Sequence, residues 1–305
     1  CIRDSDYLLN NFSLDSCRHK ASENQIRASA KAESSKNRKN TETVISVREA
    51  WFRYEKDSKD ILCGMNFDVH AGELTCIVGG NGAGKTTALL TAAGVFSPYR
   101  GKVKYRGKPI STFRKDKGSA GKIGVLVQNP LCCFVMDSVA EELEATAKAY
   151  KLPRSVIEEV IDIMQLQSVL GSNPYDISGG ELQRAAIAKL LLPEPEVIFL
   201  DEATKGMDAF FKAEFGALLR RLAARGTAIV LVSHDIEFCA EFADRCAMFF
   251  NGTVIAEGTP QDVFLGNSFY TTSACRISRG IIPDALTPEQ VIDYANRCER
   301  KKNDD

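Results

Sequence analysis

The balance of polar and apolar positions changes sharply near residue 43. Ser, Asn, Lys, Arg and Glu dominate Ser13–Asn40, with few large apolar residues. Such a segment cannot bury enough surface to offset the entropy of ordering it. Residues 1–42 therefore read as a polar linker or tail, disordered by composition. From Thr43 the pattern turns β-like: Val44-Ile45-Ser46-Val47, then Ala50-Trp51-Phe52-Arg53-Tyr54, then Met65 to Val69. Leu74-Thr75-Cys76-Ile77-Val78 is a short apolar run leading straight into glycines, the mark of a buried strand feeding a loop. A helix follows from Gly84 to about Ala93. Residues 123–128 predict another strand, ending on a polar residue.

Residues 137–192 read as mostly helical. Asp137 or Ser138 suits the cap of a helix through Lys151, and Pro153 opens the next helix in its first turn. Val197–Asp201 and Ala228–Ser233 have the length of buried parallel strands, with helices near 209–224 and 236–243. Alternating strands and helices predict an α/β fold with a mostly parallel sheet covered on both faces. Phe249 to Ile255 reads as a hairpin turning at Asn251-Gly252. Thr287-Pro288-Glu289-Gln290 has the form of a capping box with Pro at the first helical position, starting a short C-terminal helix. No internal repeat is visible, so the chain carries one such unit.

At 305 residues the chain can bury one large core or two modest ones. A formal net charge of −1 gives no reason to expect a nucleic-acid surface. No apolar run approaches the roughly 18–20 residues that cross a bilayer. Any membrane role must then come through partners. The ten cysteines include the adjacent pair Cys132-Cys133, and none has zinc-ligand spacing. They are expected to be free thiols in a reducing cytosol. The chain starts at Cys1 without an initiator Met, as a fragment of something longer would.

Three stretches carry chemistry. Gly79-Gly80-Asn81-Gly82-Ala83-Gly84-Lys85-Thr86 fits the phosphate-loop template, with Thr87 directly after it. Glycines let the backbone curl until its N–H groups point at phosphates. Lys85 reaches the β- and γ-phosphates, and the Thr86 hydroxyl is a hard ligand for Mg²⁺. The second stretch is the end of an apolar strand, where Asp201 can hold Mg²⁺ directly or through water. Glu202 follows, one residue on, placed to accept a proton from an attacking water. A helix N-cap pair is the other common use of such carboxylates. The third is Ile177-Ser178-Gly179-Gly180-Glu181, a turn that opens a helix. Ser178 and the N–H groups of Gly179 and Gly180 can face an anion at the helix N-terminus. One nucleotide already has its own loop, so this second anion site is expected to serve an ATP held by another domain.

Together these motifs resemble the ABC ATPase family, whose signature reads Leu-Ser-Gly-Gly-Gln. Ile177 and Glu181 depart mildly from it. The resemblance covers about residues 43–265, with its motifs in the family's order. It implies a P-loop NTPase fold with an antiparallel β subdomain and a helical subdomain near 137–192. The domain would run from 43 to 267, with an extension over 268–305. It further implies that Gln128 is the Q-loop glutamine, touching Mg²⁺ or the water, and that His234 is the switch histidine at the γ-phosphate. Tyr54 would stack on adenine, with Phe52 or Trp51 as substitutes. Asp208 would be the D-loop aspartate, linking two sites across a dimer. Ala203 stands where the family usually has Pro and Met207 where it has Leu, and neither removes a catalytic group. No role attaches to His19 or His70.

Val127-Gln128-Asn129-Pro130, Phe134 and Ser138–Glu142 are similar to the same segment of energy-coupling-factor importers, which take up vitamins or transition-metal ions. Phe269–Ser273 and Ile281–Glu289 also resemble that group, especially forms with two ATPase domains in one chain. The implied partners are a second ABC ATPase domain (upstream in the same chain, a second copy or a paralogue), a transmembrane coupling subunit and a substrate-binding membrane subunit. That would place the chain peripherally on the cytoplasmic face of the plasma membrane. The alternative is a soluble ABC ATPase acting on ribosomes, DNA repair or iron–sulfur assembly.

Overall fold

The computed structural model describes residues 42–303, except 266, 268, 269, 280 and 283. The polar tail and the expected tail residues Phe269 and Pro283 lie outside the described residues. β1 (Thr43–Phe52), β2 (Leu62–His70), β4 (Arg100–Tyr105) and β5 (Lys108–Pro109) pair antiparallel in the order β2-β1-β4-β5. The larger sheet takes β3 (Leu74–Gly79), β6 (Ile123–Leu126), β7 (Val197–Asp201), β8 (Ala228–Val232), β9 (Arg245–Phe250) and β10 (Thr253–Gly258) in the order β10-β9-β3-β8-β7-β6. Its strands are parallel except β10, which turns back on β9.

Every residue of β3, β7 and β8 is buried, which is why these strands read as continuous apolar runs. Successive side chains face opposite ways. Ile77, Phe199 and Val230 pack with the antiparallel sheet and with α1 (Lys85–Ala92) between the two sheets. Cys76, Val78, Ile198 and Leu231 face the other core. That second core is closed by α3 (Val139–Tyr150), α4 (Arg154–Met164), α5 (Gly179–Leu191), α6 (Ala209–Ala224) and α7 (Ile236–Phe242). The short helices α2 (Ile110–Phe113), α8 (Pro260–Phe264) and α9 (Ser273–Ser278) and the longer α10 (Pro288–Asn303) complete the described chain. Among the described residues no helix is long and apolar enough to cross a membrane.

Some local expectations hold and others need correction. The stretches that begin at Val44 and Ala50 form one strand with a bulge, β1, which ends at Phe52: Glu49 takes a φ of 49° and the register shifts between Val47 and Ala50. Tyr54 lies beyond β1 in a bend, not in a β pair. Pro153 is extended at the N-cap of α4, one residue before the first turn: its ring fixes φ, while ψ stays free to take 154°. α10 runs for 16 residues and is not short. Asn251 and Gly252 both have positive φ, as a two-residue hairpin turn requires. Ser138, not Asp137, caps α3.

Candidate nucleotide site

The site forms where the parallel strands end, in the crevice open α/β sheets offer to ligands. β3 runs directly into the phosphate loop. Gly79 has a φ of 152°, and a Cβ there would stand 2.2 Å from the carbonyl oxygen of Phe249 on β9. Only glycine lets the two backbones come so close. Gly84 is left-handed at the cap of α1, with the Ile61 carbonyl 3.0 Å from where its Cβ would be. The Gly252 N–H donates to the Ala83 carbonyl at 3.1 Å, so the β9–β10 hairpin also braces the loop.

Lys85 is 6% exposed, and its ammonium donates to the carbonyls of Gly79 at 2.9 Å and Gly80 at 2.8 Å. Burial lowers its pKa, while the carboxylates of Glu202 and Asp201 oppose that shift. Thr86 donates its hydroxyl to Asp201 Oδ2 at 2.7 Å. Asp201 is buried, and its Oδ1 has no hydrogen-bond partner among the described residues. Burial raises the Asp201 pKa against the Thr86 hydrogen bond. A buried carboxylate oxygen left open beside a hydroxyl fits a hard cation such as Mg²⁺.

Strand order sets the next group. β7 lies between β6 and β8, and Glu202, Gln128 and His234 follow the C-terminal ends of those three strands. Gln128 Nε2 donates to Glu202 Oε2 at 3.0 Å, while His234 Nε2 lies 3.1 Å from Glu202 Oε1. Each oxygen of one carboxylate therefore has its own neighbour. Glu202 has a φ of 53°, the left-handed region that costs a non-glycine residue about 1 kcal/mol or more. Its N–H is held by the Val232 carbonyl at 2.9 Å.

Tyr54, Lys85, Thr86, Thr87, Gln128, Glu202 and His234 share the wall of one cavity of about 810 Å³. Tyr54 is 61% exposed, its hydroxyl 3.0 Å from Thr87 Oγ1, with Phe52 and Phe96 packed edge-on behind it. Phe52 stacks on Phe96 and, like Trp51, does not reach the cavity wall. Two lysines on that wall, Lys205 and Lys212, were not among the expected site residues. Neither belongs to a phosphate-loop or signature pattern, so only the fold brings them in.

Ser178–Glu181 do not line this cavity. Ser178 caps α5, and Glu181 closes a capping box: its Oε2 accepts from the Ser178 N–H at 2.9 Å and the Ser178 hydroxyl at 2.6 Å. Asp208 likewise caps α6, accepting from the Phe211 N–H at 2.8 Å. The other end of α5 is tied to the segment after Gln128. Lys189 pairs with buried Glu142 and with the Cys133 carbonyl, and Glu142 accepts from the N–H groups of Val135 at 2.9 Å and Met136 at 2.8 Å. Val135 and Met136 point their side chains outward.

The sequence profile of the ABC transporter family matches residues 62–205. The energy-coupling factor transporter ATP-binding protein EcfA of Methanocaldococcus jannaschii is 33% identical over 226 residues, which covers 72% of this chain and 81% of that protein. The chain belongs to the ABC transporter ATPase family. Such ATPases bind ATP and, generally, Mg²⁺. Within the ABC family, CbiO1 from Clostridium perfringens, part of the ABC transporter complex CbiONQ, superposes with a TM-score of 0.64 at 30% identity. The match covers 73% of this chain and 90% of that one. A protein of Bacillus thuringiensis subsp. konkukian, named as an ABC transporter ATP-binding protein, is 37% identical over 96% of this chain. The chain spans about half the length of that relative, 51%.

Proposed function

We propose that this chain is the ATP-hydrolysing part of an energy-coupling-factor type importer, and that it works by head-to-tail closure with a second ABC ATPase domain. The carrying observation is the split between its two anion-binding ends. Lys85, Glu202, Gln128 and His234 converge on one cavity, while the signature at Ser178–Glu181 lies off it. A signature that does not line its own chain's nucleotide cavity is free to complete a partner's. The importer type is supported by the names of the relatives, EcfA and CbiO1. A second ATPase domain in the same natural chain is one form of the partner. A transmembrane coupling subunit and a substrate-binding membrane subunit are the others, which makes the chain peripheral to the cytoplasmic face of the membrane.

In this reading the ABC domain is 43–267 and the extension 268–305. Residues 79–87 cradle the phosphates, and Tyr54 offers its exposed ring to adenine. Lys85 turns from the carbonyls of Gly79 and Gly80 to the β- and γ-phosphates. Thr86 and Asp201, with Gln128 alongside, hold Mg²⁺, which supplies neutralising charge for the phosphate oxygens. Glu202 accepts the proton of the attacking water, and Gln128 and His234 hold that carboxylate from both sides. Phosphoryl transfer needs such positioning and charge more than covalent help. Ser178, Gly179 and Gly180 serve the partner's ATP, Glu181 closes the turn that presents them, and Asp208 lies in the loop that links the sites.

The test is a trapped dimer. Glu202→Gln with ATP is expected to give a stable dimer by light scattering, because hydrolysis no longer reopens it. Adding Ser178→Arg is expected to remove the dimer and leave nucleotide binding by the single chain intact. Equal loss of both properties would refute the head-to-tail arrangement.

A further inference from the structure

Among the described residues three ammonium groups line the nucleotide cavity, and two of them are already held. Lys85 sits against the carbonyls of Gly79 and Gly80. Lys212 Nζ is 2.6 Å from Asp235 Oδ2. Lys205 is exposed on the same wall, and among the described residues its side chain has no carboxylate or carbonyl partner. Of the two carboxylates three residues away, Glu202 has both oxygens engaged by Gln128 and His234, and Asp208 caps α6.

The backbone under Lys205 is fixed. Its N–H donates to the Glu202 carbonyl at 3.1 Å, closing a turn directly onto that residue. Thr204 before it is buried, its hydroxyl 3.4 Å from that of Ser233. Gly206 after it reverses the chain with a φ of 78°, and Met207 beyond is buried again. An anchored turn thus carries one free cation along the rim that Glu202 and His234 share. Nothing in the packing calls for a lysine there. A triphosphate in the cavity would give that cation a partner, since its terminal group carries the most charge.

We propose that Lys205 is a further catalytic residue of ATP hydrolysis, its ammonium binding the γ-phosphate of the ATP held in its own chain's cavity. The proposal rests on the reading that ATP occupies this cavity. Lysine acts as a point charge on phosphate, so it serves the bound γ-phosphate and the spread charge of the transferring group alike. Lys85 would hold the phosphates from the loop side and Lys205 from the side of Glu202. ADP has no group for Lys205 to hold.

The test compares nucleotides on the dilute single chain, where no partner signature contributes. Lys205→Met is expected to weaken binding of a non-hydrolysable ATP analogue about five- to tenfold and leave ADP within about twofold, the scale of one charge-assisted contact open to solvent. Lys205→Arg keeps the cation and is expected to hold both affinities within about twofold of the parent. Turnover in the assembled complex is expected to fall about tenfold in Lys205→Met and to recover in Lys205→Arg. Equal weakening of ATP analogue and ADP overturns the proposal, and so does no change in either. A parent chain that binds no ATP analogue overturns the reading of the cavity and this inference with it.

Discussion

The phosphate loop and the signature turn are both glycine-rich openings to a helix, yet they are built in opposite ways. At the phosphate loop, glycine is a packing requirement: Gly79 lies against the Phe249 backbone and Gly84 against the Ile61 carbonyl. At the signature, a Cβ on Gly179 would meet nothing within 4 Å, while one on Gly180 would stand 3.1 Å from the Gly206 carbonyl. The loop sits at the end of a wholly buried strand, and its lysine is nearly inaccessible. The signature end is exposed and caps itself with Glu181. One end is finished within the chain. The other has open space at Gly179, as the proposed half-site for a second domain requires.

The largest expected effect breaks the finished half chemically. Glu202→Gln removes a proton acceptor without changing shape. Steady-state ATPase assays on the assembled complex are expected to show turnover lower by roughly 10²–10⁴-fold, with ATP binding retained. Turnover within threefold of the parent would separate Glu202 from the chemistry and leave its left-handed backbone without a function.

The next effect sets the two glycines against each other. Gly79→Ala must push β3 and β9 apart, and it is expected to cost at least about 2 kcal/mol in denaturant unfolding. Gly179→Ala has room and sits at a helix start, so its stability is expected to stay within about 0.5 kcal/mol of the parent. Its loss is expected only in the ATP-driven dimer, where the partner's phosphate needs the space. If Gly179→Ala destabilises the single chain as much as Gly79→Ala, the contrast between the two ends fails.

How far the sequence spoke follows the same division. The phosphate loop, the acidic strand end and the signature were legible because each needs particular residue types at fixed spacing. The buried strands were legible because sheets covered on both faces leave unbroken apolar runs. β4 was not, since its charged residues outnumber the two that turn inward, Val103 and Tyr105. The bulge at Glu49 was not either, because a single left-handed residue leaves no mark on periodicity. The meeting of Gln128 and His234 on opposite oxygens of Glu202 depends on strand order, and no local pattern encodes which strands become neighbours. Lys205 is illegible for a related reason: a lone lysine in a polar turn reads as solvated, and only the fold puts it on the cavity wall. The length of the C-terminal helix is not legible because Lys and Arg near its end dilute the apolar signal, yet both are good helix formers.

The smallest expected effect sharpens the unfinished end. The Glu181 carboxylate accepts from both the Ser178 hydroxyl and the Ser178 N–H. Those hydrogen bonds, the hydroxyl first, lower its pKa, so it is charged at neutral pH. A negative group at a helix N-terminus suits the isolated α5. It also occupies donors that a partner's phosphate would want and repels that phosphate at short range. Glu181→Gln keeps the shape of the capping box and removes the charge. The change is expected to leave nucleotide binding by the single chain unaltered and to strengthen the ATP-driven dimer about two- to fivefold, as befits one exposed charge. The gain should shrink in high salt, where exposed charges are screened. Sedimentation with ATP at two ionic strengths reads both properties. A weaker dimer in Glu181→Gln would mean that the carboxylate holds Ser178 in the geometry the partner needs, and that the signature end is as finished as the phosphate loop.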